Sequence, residues 1–240
     1  MNSDQHFVVD ESVLCRIIEL SNLKTEDIIL EIGPGYGNLT KKLVNKVKKV
    51  YAIEKDKKLY EFLLKSKFDN LKLISGNALK ITFPDFNKIV SNIPYSISEP
   101  LIKKLIYYNF ELGVLLLPKK FSDILAGIKY TKLSLISESF FKIKQKDIVY
   151  PESFSPRPKT LSQITLIIPK KSNSKEMIFR EFIKQKDKKV KNALREALIK
   201  INRVTKKESK KLIENITIDK KVSNLNLNEL LKIKDFIFNL

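Results

Sequence analysis

The run Asp27-Ile28-Ile29-Leu30-Glu31-Ile32, followed at once by Gly33-Pro34-Gly35-Tyr36-Gly37 and then Asn38-Leu39-Thr40, leaves few folds open. A nearly continuous apolar run of this length reads as a parallel strand covered on both faces. It feeds through glycines into a helix that starts near Asn38. Glycines there let the backbone approach a ligand and turn its N–H groups toward it, at the positive end of a helix dipole. The spacing G-x-G-x-G is one residue tighter than the dinucleotide fingerprint and lacks the Lys-Ser/Thr of a phosphate-binding loop. A purely structural turn is the alternative.

The same strand-then-helix alternation continues. Lys49-Val50-Tyr51-Ala52-Ile53 reads as a second strand ending in Glu54, where a carboxylate can accept both hydroxyls of a ribose. An exposed Glu beside Lys55 is the plainer alternative. A helix over about 57–67 returns the chain to a third strand, Leu71-Lys72-Leu73-Ile74-Ser75, followed by Gly76-Asn77-Ala78-Leu79. Asn77 can accept from an adenine amine and donate to a ring nitrogen, or serve as an ordinary turn residue beside Gly76.

A fourth strand, Lys88-Ile89-Val90, delivers Ser91-Asn92-Ile93-Pro94-Tyr95. The tetrapeptide has the form Asn-x-Pro-Tyr, and its residue types suit methylation of an exocyclic amine. That nitrogen is a poor nucleophile because its lone pair is delocalised into the ring. The Asn92 side-chain oxygen and the Ile93 carbonyl can accept its two N–H bonds, and Pro94 stiffens the turn that holds them. Positioning and electrostatics then carry most of the rate. Tyr95 offers a face for an extruded base to stack on. An Asn-Pro turn with a core Tyr is the alternative.

Upstream, Asp10 or Ser12 caps a first helix in which Val13, Leu14, Ile17, Ile18 and Leu20 fall at helical spacing. Before it, Gln5-His6-Phe7-Val8-Val9 reads most simply as a frayed end with one buried Phe, and otherwise as a flap over a pocket mouth. Downstream, a fifth strand covers Leu112–Leu117, and a hairpin is expected with strands near 140–149 and 162–168. Three prolines stiffen its loop, Tyr150-Pro151-Glu152-Ser153-Phe154-Ser155-Pro156-Arg157-Pro158-Lys159. Beyond the polar stretch Lys170–Ser174, apolar spacing predicts two longer helices and then two shorter ones, near 206–215 and 226–239.

Charge decides what such a molecule meets. With 46 Lys and Arg against 27 Asp and Glu, the net charge is +19. Residues 170–240 alone hold 20 basic and 9 acidic residues, so polyanions, RNA or DNA first, are the expected partners. One Cys and one His give no disulfide and no zinc cluster, and no metal is expected. No apolar run approaches a membrane span, and Met1–Gln5 is no signal peptide, which makes a cytoplasmic protein the expectation.

Together Gln5-His6-Phe7, Glu31-Ile-Gly33-Pro-Gly35-Tyr-Gly37-Asn-Leu39-Thr40, Glu54, Gly76-Asn77-Ala78-Leu79 and Asn92-Ile-Pro94-Tyr95 resemble the ribosomal RNA adenine dimethyltransferases, the KsgA/Dim1 enzymes and the related Erm enzymes. The resemblance runs over most of the chain. It implies an α/β fold, a Rossmann-like seven-stranded methyltransferase sheet over 1–170 with a small helical, basic RNA-binding domain at 171–240. It also implies two successive methylations of adenine N6 from S-adenosyl-L-methionine. Carried over, Gln5 and His6 lie near the donor, Gly33 and Gly35 under its methionine part, Glu54 on its ribose and Asn77 on its adenine, with Glu31 and Ala78 in the same set. Asn92 holds the target amine. Phe154, in a loop like the family's Phe-x-Pro-x-Pro, stacks on the base opposite Tyr95, or else is a core anchor. The chain departs from the family at Asn77, where Asp is usual, at His6, and after Leu117, where Pro118-Lys119-Lys120-Phe121-Ser122 replaces a Gln-x-Glu-like helix. Lys119 and Lys120 are phosphate candidates there.

The expected function is therefore dimethylation of adenine in small-subunit ribosomal RNA, on an immature subunit, by a monomer engaged in ribosome biogenesis. Two other readings are a ribosome-assembly RNA-binding factor with weak or lost catalysis, and an adenine methyltransferase acting on large-subunit RNA or DNA.

Overall fold

The computed structural model describes residues 5–240; the opening residues 1–4, part of the stretch read as no signal peptide, lie outside the described residues. The chain forms two compact units. One takes the residues up to Ala126 together with Lys142–Pro169, the other Gly127–Phe141 with Lys170–Leu240.

The first unit runs β1 (Phe7–Val8), α1 (Glu11–Leu20), β2 (Ile28–Ile32), α2 (Asn38–Val44), β3 (Lys49–Glu54), α3 (Lys57–Leu64), β4 (Leu71–Ser75), β5 (Lys88–Asn92), α4 (Ser98–Leu105), β6 (Leu112–Pro118) and α5 (Lys119–Leu125). After α6 (Lys132–Phe140), which belongs to the second unit, come β7 (Phe141–Val149), β8 (Phe154–Ser155) and β9 (Ser162–Pro169). Seven strands make one sheet in the order β4-β3-β2-β5-β6-β9-β7. Strands β2 to β6 in it pair in parallel, and β9 runs antiparallel to β6. The apolar runs become central strands for the expected reason: Ile29, Leu30, Ile89, Val90 and Val114 are fully buried.

Strand order reverses at β2. From there β3 and β4 extend to one side while β5 and β6 lie on the other, so the loops leaving β2 and β5 part and open a crevice at their carboxyl ends. At the opposite ends of the same two strands, Lys88 Nζ donates to Asp27 Oδ2 at 2.7 Å and to Asn22 O at 2.6 Å, with both side chains of the ion pair almost wholly buried. Burial pushes the Asp27 carboxyl up, but hydrogen bonds from Lys88 and Asn87 outweigh it and hold it below its ordinary value. Asn87 also accepts from Ile28 N–H, so β2 and β5 are tied where they start.

Local chemistry sets the helix starts. Asp10 accepts from Ser12 N–H to cap α1, and Asp56 from Lys58 and Leu59 N–H to cap α3. The proline loop expected between β7 and β9 holds one 3-10 turn and the short strand β8, which pairs antiparallel with β1.

The second unit adds α7 (Ser174–Lys184), α8 (Val190–Asn202), α9 (Lys206–Leu212) and α10 (Leu227–Phe238) to α6. Thr131, Asn173, Thr205 and Asn226 each begin a helix in a capping box. Phe179, Phe182, Leu194, Leu198 and Ile237 fill the core. The sequence reading put α6 with the catalytic domain; its contacts put it here, where Lys132 and Glu138 bond to Ser223 O and Lys234.

Candidate active site

Two cavities occupy the crevice. The larger, about 400 Å³, is lined by Gly33, Glu54, Asp56, Asn77, Ala78 and Pro94 among others. The smaller, about 40 Å³, is lined by His6, Gly35, Asn92, Ile93 and Tyr95, and shares Gln5, Gly33, Glu54 and Pro94 with the larger. The crevice thus brings together all but two of the candidate residues. Glu31 lines a third, smaller hollow with Gly33 and Asn92, and Phe154 stands apart.

Two glycines are required where they stand. Gly33 has φ +68°, and a Cβ on it would come within 3.2 Å of Pro94 Cδ. Gly35 has φ +59°, and its Cβ would lie 2.5 Å from the Phe7 ring. The loop can pass between the tetrapeptide and β1 only without side chains.

Glu54 and Asn77 line the larger cavity, and Glu31 lies in the adjoining hollow. Glu54, 5% exposed, takes Asp56 N–H at 2.8 Å on one oxygen and Gly35 N–H at 3.2 Å on the other. Burial pushes its carboxyl up against those hydrogen bonds. Glu31, 2% exposed, accepts from Thr40 Oγ at 2.8 Å. Its carboxyl is pushed up to about 8, chiefly by burial, with repulsion from Glu54 adding and the Thr40 bond opposing. Asn77 accepts from Leu79 N–H on its Oδ1 at 2.9 Å, an Asx turn that engages the oxygen and not the amide nitrogen. The turn that follows is gripped by Lys104, whose Nζ donates to Ala78 O at 2.6 Å and to Ile81 O, 4.1 Å above the Phe83 ring. Burial pushes that amine down.

The tetrapeptide is held from two sides. Asn92 Nδ2 donates to His6 O at 2.7 Å, which fixes the amide's orientation because a carbonyl can only accept; Oδ1 is left as the end to receive a proton donor. Tyr95 OH meets Ser162 Oγ at 2.5 Å, and its ring lies 5.4 Å from that of His6. His6 Nδ1 bonds Pro156 O at 2.9 Å. The N-terminal segment is therefore an anchored strap and not a frayed end. Asn38 Nδ2 also holds it, at Val8 O and 2.8 Å. Sequence reading gave no role to Ser162, Pro156 and Lys104, which lie far from their partners along the chain, nor to Asn38 and Thr40, which stand in the glycine motif without a contact of their own assigned.

Phe154 needs correction. Its pairing with Val8 puts it at 2% exposure in the hydrophobic core, so its ring has no open face for a base. Lys119 is likewise engaged, by Asp123 at 2.9 Å, while Lys120 is exposed.

Residues 2–238 match the family described as ribosomal RNA adenine dimethylase. The chain belongs to that family. As a member of the ribosomal RNA adenine dimethylases it is a methyltransferase that uses S-adenosylmethionine. It is 34% identical to the "Probable ribosomal RNA small subunit methyltransferase A" of Pyrococcus furiosus, over 97% of this chain and 90% of that one. The same name and identity recur in Methanococcoides burtonii, over 99% and 93%. Among solved structures, a dimethyladenosine transferase from Plasmodium falciparum is 30% identical with a TM-score of 0.65, covering 95% of this chain and 96% of that one. The 23S rRNA methyltransferase ErmE, 18% identical with a TM-score of 0.67, shares the fold.

The crevice fits the donor that this family uses. Its lining has a glycine cradle that side chains would fill, the buried Glu54 carboxylate and the polar Asn77, the kinds of group that a donor with an amino-acid part, a ribose and a base needs.

Proposed function

We propose that this chain transfers two methyl groups from S-adenosylmethionine to N6 of adenine in small-subunit ribosomal RNA. The observation that carries the reading is Asn92, whose nitrogen is committed to His6 O and whose oxygen is left to accept at the smaller cavity. The relatives named for small-subunit methylation support the choice of subunit.

When bound, the donor supplies an electrophilic methyl group on a sulfonium. The protein does the rest by position. Gln5, His6, Gly33 and Gly35 would border the donor's methionine part, Glu54 would accept from its ribose hydroxyls, and Asn77 and Ala78 would meet its adenine. Glu31, below the glycine loop, adds a carboxyl that the positive donor would draw toward ionisation. Asn92 Oδ1 and the Ile93 carbonyl would accept the two N–H bonds of the target amine, favouring a pyramidal nitrogen whose lone pair faces the methyl. Pro94 holds that spacing, and the Tyr95 ring, pinned by Ser162, would carry the base. Each transfer would form an N6–methyl bond as the donor's S–C bond breaks, leaving S-adenosylhomocysteine, with the displaced N6 proton passing to solvent; exchange for a fresh donor would present the monomethylated adenine again, its one remaining N–H held by one of the two acceptors.

The helical unit with its lysines would grip RNA phosphates, in an immature subunit and in the cytoplasm, with the protein acting as a monomer in ribosome biogenesis. A second reading, an assembly factor with weak catalysis, is favoured by one observation, the commitment of Asn77 Oδ1 to Leu79 N–H within its own turn.

The test is transfer of labelled methyl from S-adenosylmethionine to immature small subunits lacking adenine methylation, with nucleoside mass spectrometry. Formation of N6,N6-dimethyladenosine is expected. Saturable subunit binding without product would replace the enzyme with the assembly factor.

A further inference from the structure

Three aromatic rings lead out of the crevice. Phe7 covers Gly35 inside it. Tyr36 meets Phe7 edge-on with centroids 4.9 Å apart, and Phe62 meets Tyr36 edge-on at 5.4 Å. The last two are not core residues: Tyr36 is 42% and Phe62 46% exposed, with Leu64 beside them at 55%. Phe62 stands on α3; Lys58 lies one turn before it on the helix and Lys65, the residue just past the helix end, about one turn after it, both exposed. Neither lysine has an ion-pair partner among the described residues, whereas the one acidic neighbour on the helix, Glu61, is offset by Lys57 at 3.9 Å.

Rings that are nearly half exposed and flanked by cations without ion-pair partners suit a partner with flat apolar faces and a regular negative charge. We infer that Phe62, backed by Tyr36 and flanked by Lys58 and Lys65, is a stacking platform for an unpaired nucleobase of the RNA strand that carries the target adenine. This rests on the functional reading above in requiring an RNA substrate, and adds a contact outside the crevice. Stacking on aromatic side chains is how proteins hold single-stranded RNA without reading its sequence, with lysines taking the phosphates on either side. The target base must leave its helix to reach Asn92, so its neighbours along the strand are unstacked and need a surface.

The chain contains no tryptophan, so Phe62→Trp creates a single fluorescent reporter at the platform. Titration with an unmethylated small-subunit rRNA fragment should quench its emission saturably, and Lys58→Glu with Lys65→Glu should weaken the response. In methyl transfer, Phe62→Ala should raise KM for RNA about 5- to 100-fold, with kcat and donor affinity unchanged. An unchanged KM, or no quenching by RNA that the wild-type protein methylates, overturns the platform. So does quenching by intact subunits but not by protein-free rRNA, which would assign the rings to a protein contact. Quenching by RNA in a protein that transfers no methyl would uphold the platform and overturn the enzyme.

Discussion

Replacing Asn77 by Asp should make this protein bind its donor more tightly. The side chain has two functional ends, and the structure has already spent one lone pair of its oxygen on Leu79 N–H at 2.9 Å. For an adenine amine, also a donor, the wild-type side chain has only the second lone pair of an uncharged and already engaged oxygen, because its NH2 group cannot accept. Aspartate keeps the Leu79 bond with one oxygen and offers the other as an acceptor. The gain is one hydrogen bond to an ionised group, worth about 1.5–3 kcal/mol. That corresponds to roughly 10- to 100-fold in Kd. Repulsion from Glu54 and Asp56, which line the same cavity, opposes part of it, so the lower end is expected. Calorimetric titration with S-adenosylmethionine reads the affinity. A donor analogue whose base carries a carbonyl oxygen in place of the amine serves as control, since the wild-type amide should tolerate it and the Asn77→Asp variant should reject it. Equal or weaker binding of S-adenosylmethionine by the variant, or no change in its preference between the two, would refute the reasoning.

Asn92→Ala should leave donor affinity within about 2-fold of normal and cut methyl transfer at least ~10²-fold, because an acceptor at the reacting amine is gone; near-normal turnover in single-turnover assays would remove Asn92 from the chemistry. Glu31 gives a pH signature. Its carboxyl in the folded protein titrates near 8, against 4.5 ordinarily, so the fold binds a proton there that the unfolded chain has released. Its contribution to stability is full below the lower value and is lost as pH rises through the upper one. The melting temperature of the donor-free wild type should therefore fall more steeply over that window than that of Glu31→Gln; parallel curves would count against it. Asp27→Ala should destabilise by about 3–5 kcal/mol in urea denaturation, since it strands the buried Lys88 ammonium. Replacing both partners with Leu and Met should cost much less, and an equal loss would contradict the ion-pair account.

Much of this arrangement was readable because the residues concerned answer to local rules. Strand β2 and its glycines, Glu54 at the end of β3 and Asn92 at the end of β5 follow from apolar runs and the residues that stop them. What was not readable depends on partners far along the chain. The exposure of Phe154 is decided by β1, whose pairing with β8 has no signature in either two-residue strand. The same pairing turns Gln5–Val9 from an apparent frayed end into an anchored segment. Helix α6 has an amphipathic pattern that says it must pack, but not against which unit. For Asn77 both outcomes were written in the sequence, and the glycine before it favoured the turn.

The fit of the Phe7 ring over Gly35 has a consequence for how this chain can vary. The two positions share one small volume, with the ring filling space that any side chain at 35 would claim. Room at 7 would not be enough to admit a side chain at 35, because the backbone there stands at φ +59°. Position 35 should therefore stay glycine in relatives whatever stands at 7, while a smaller residue at 7 would leave a gap in the wall of the crevice. The dependence runs one way along the chain: the bend of the loop fixes the glycine, and the glycine sets the size of the ring that can close over it.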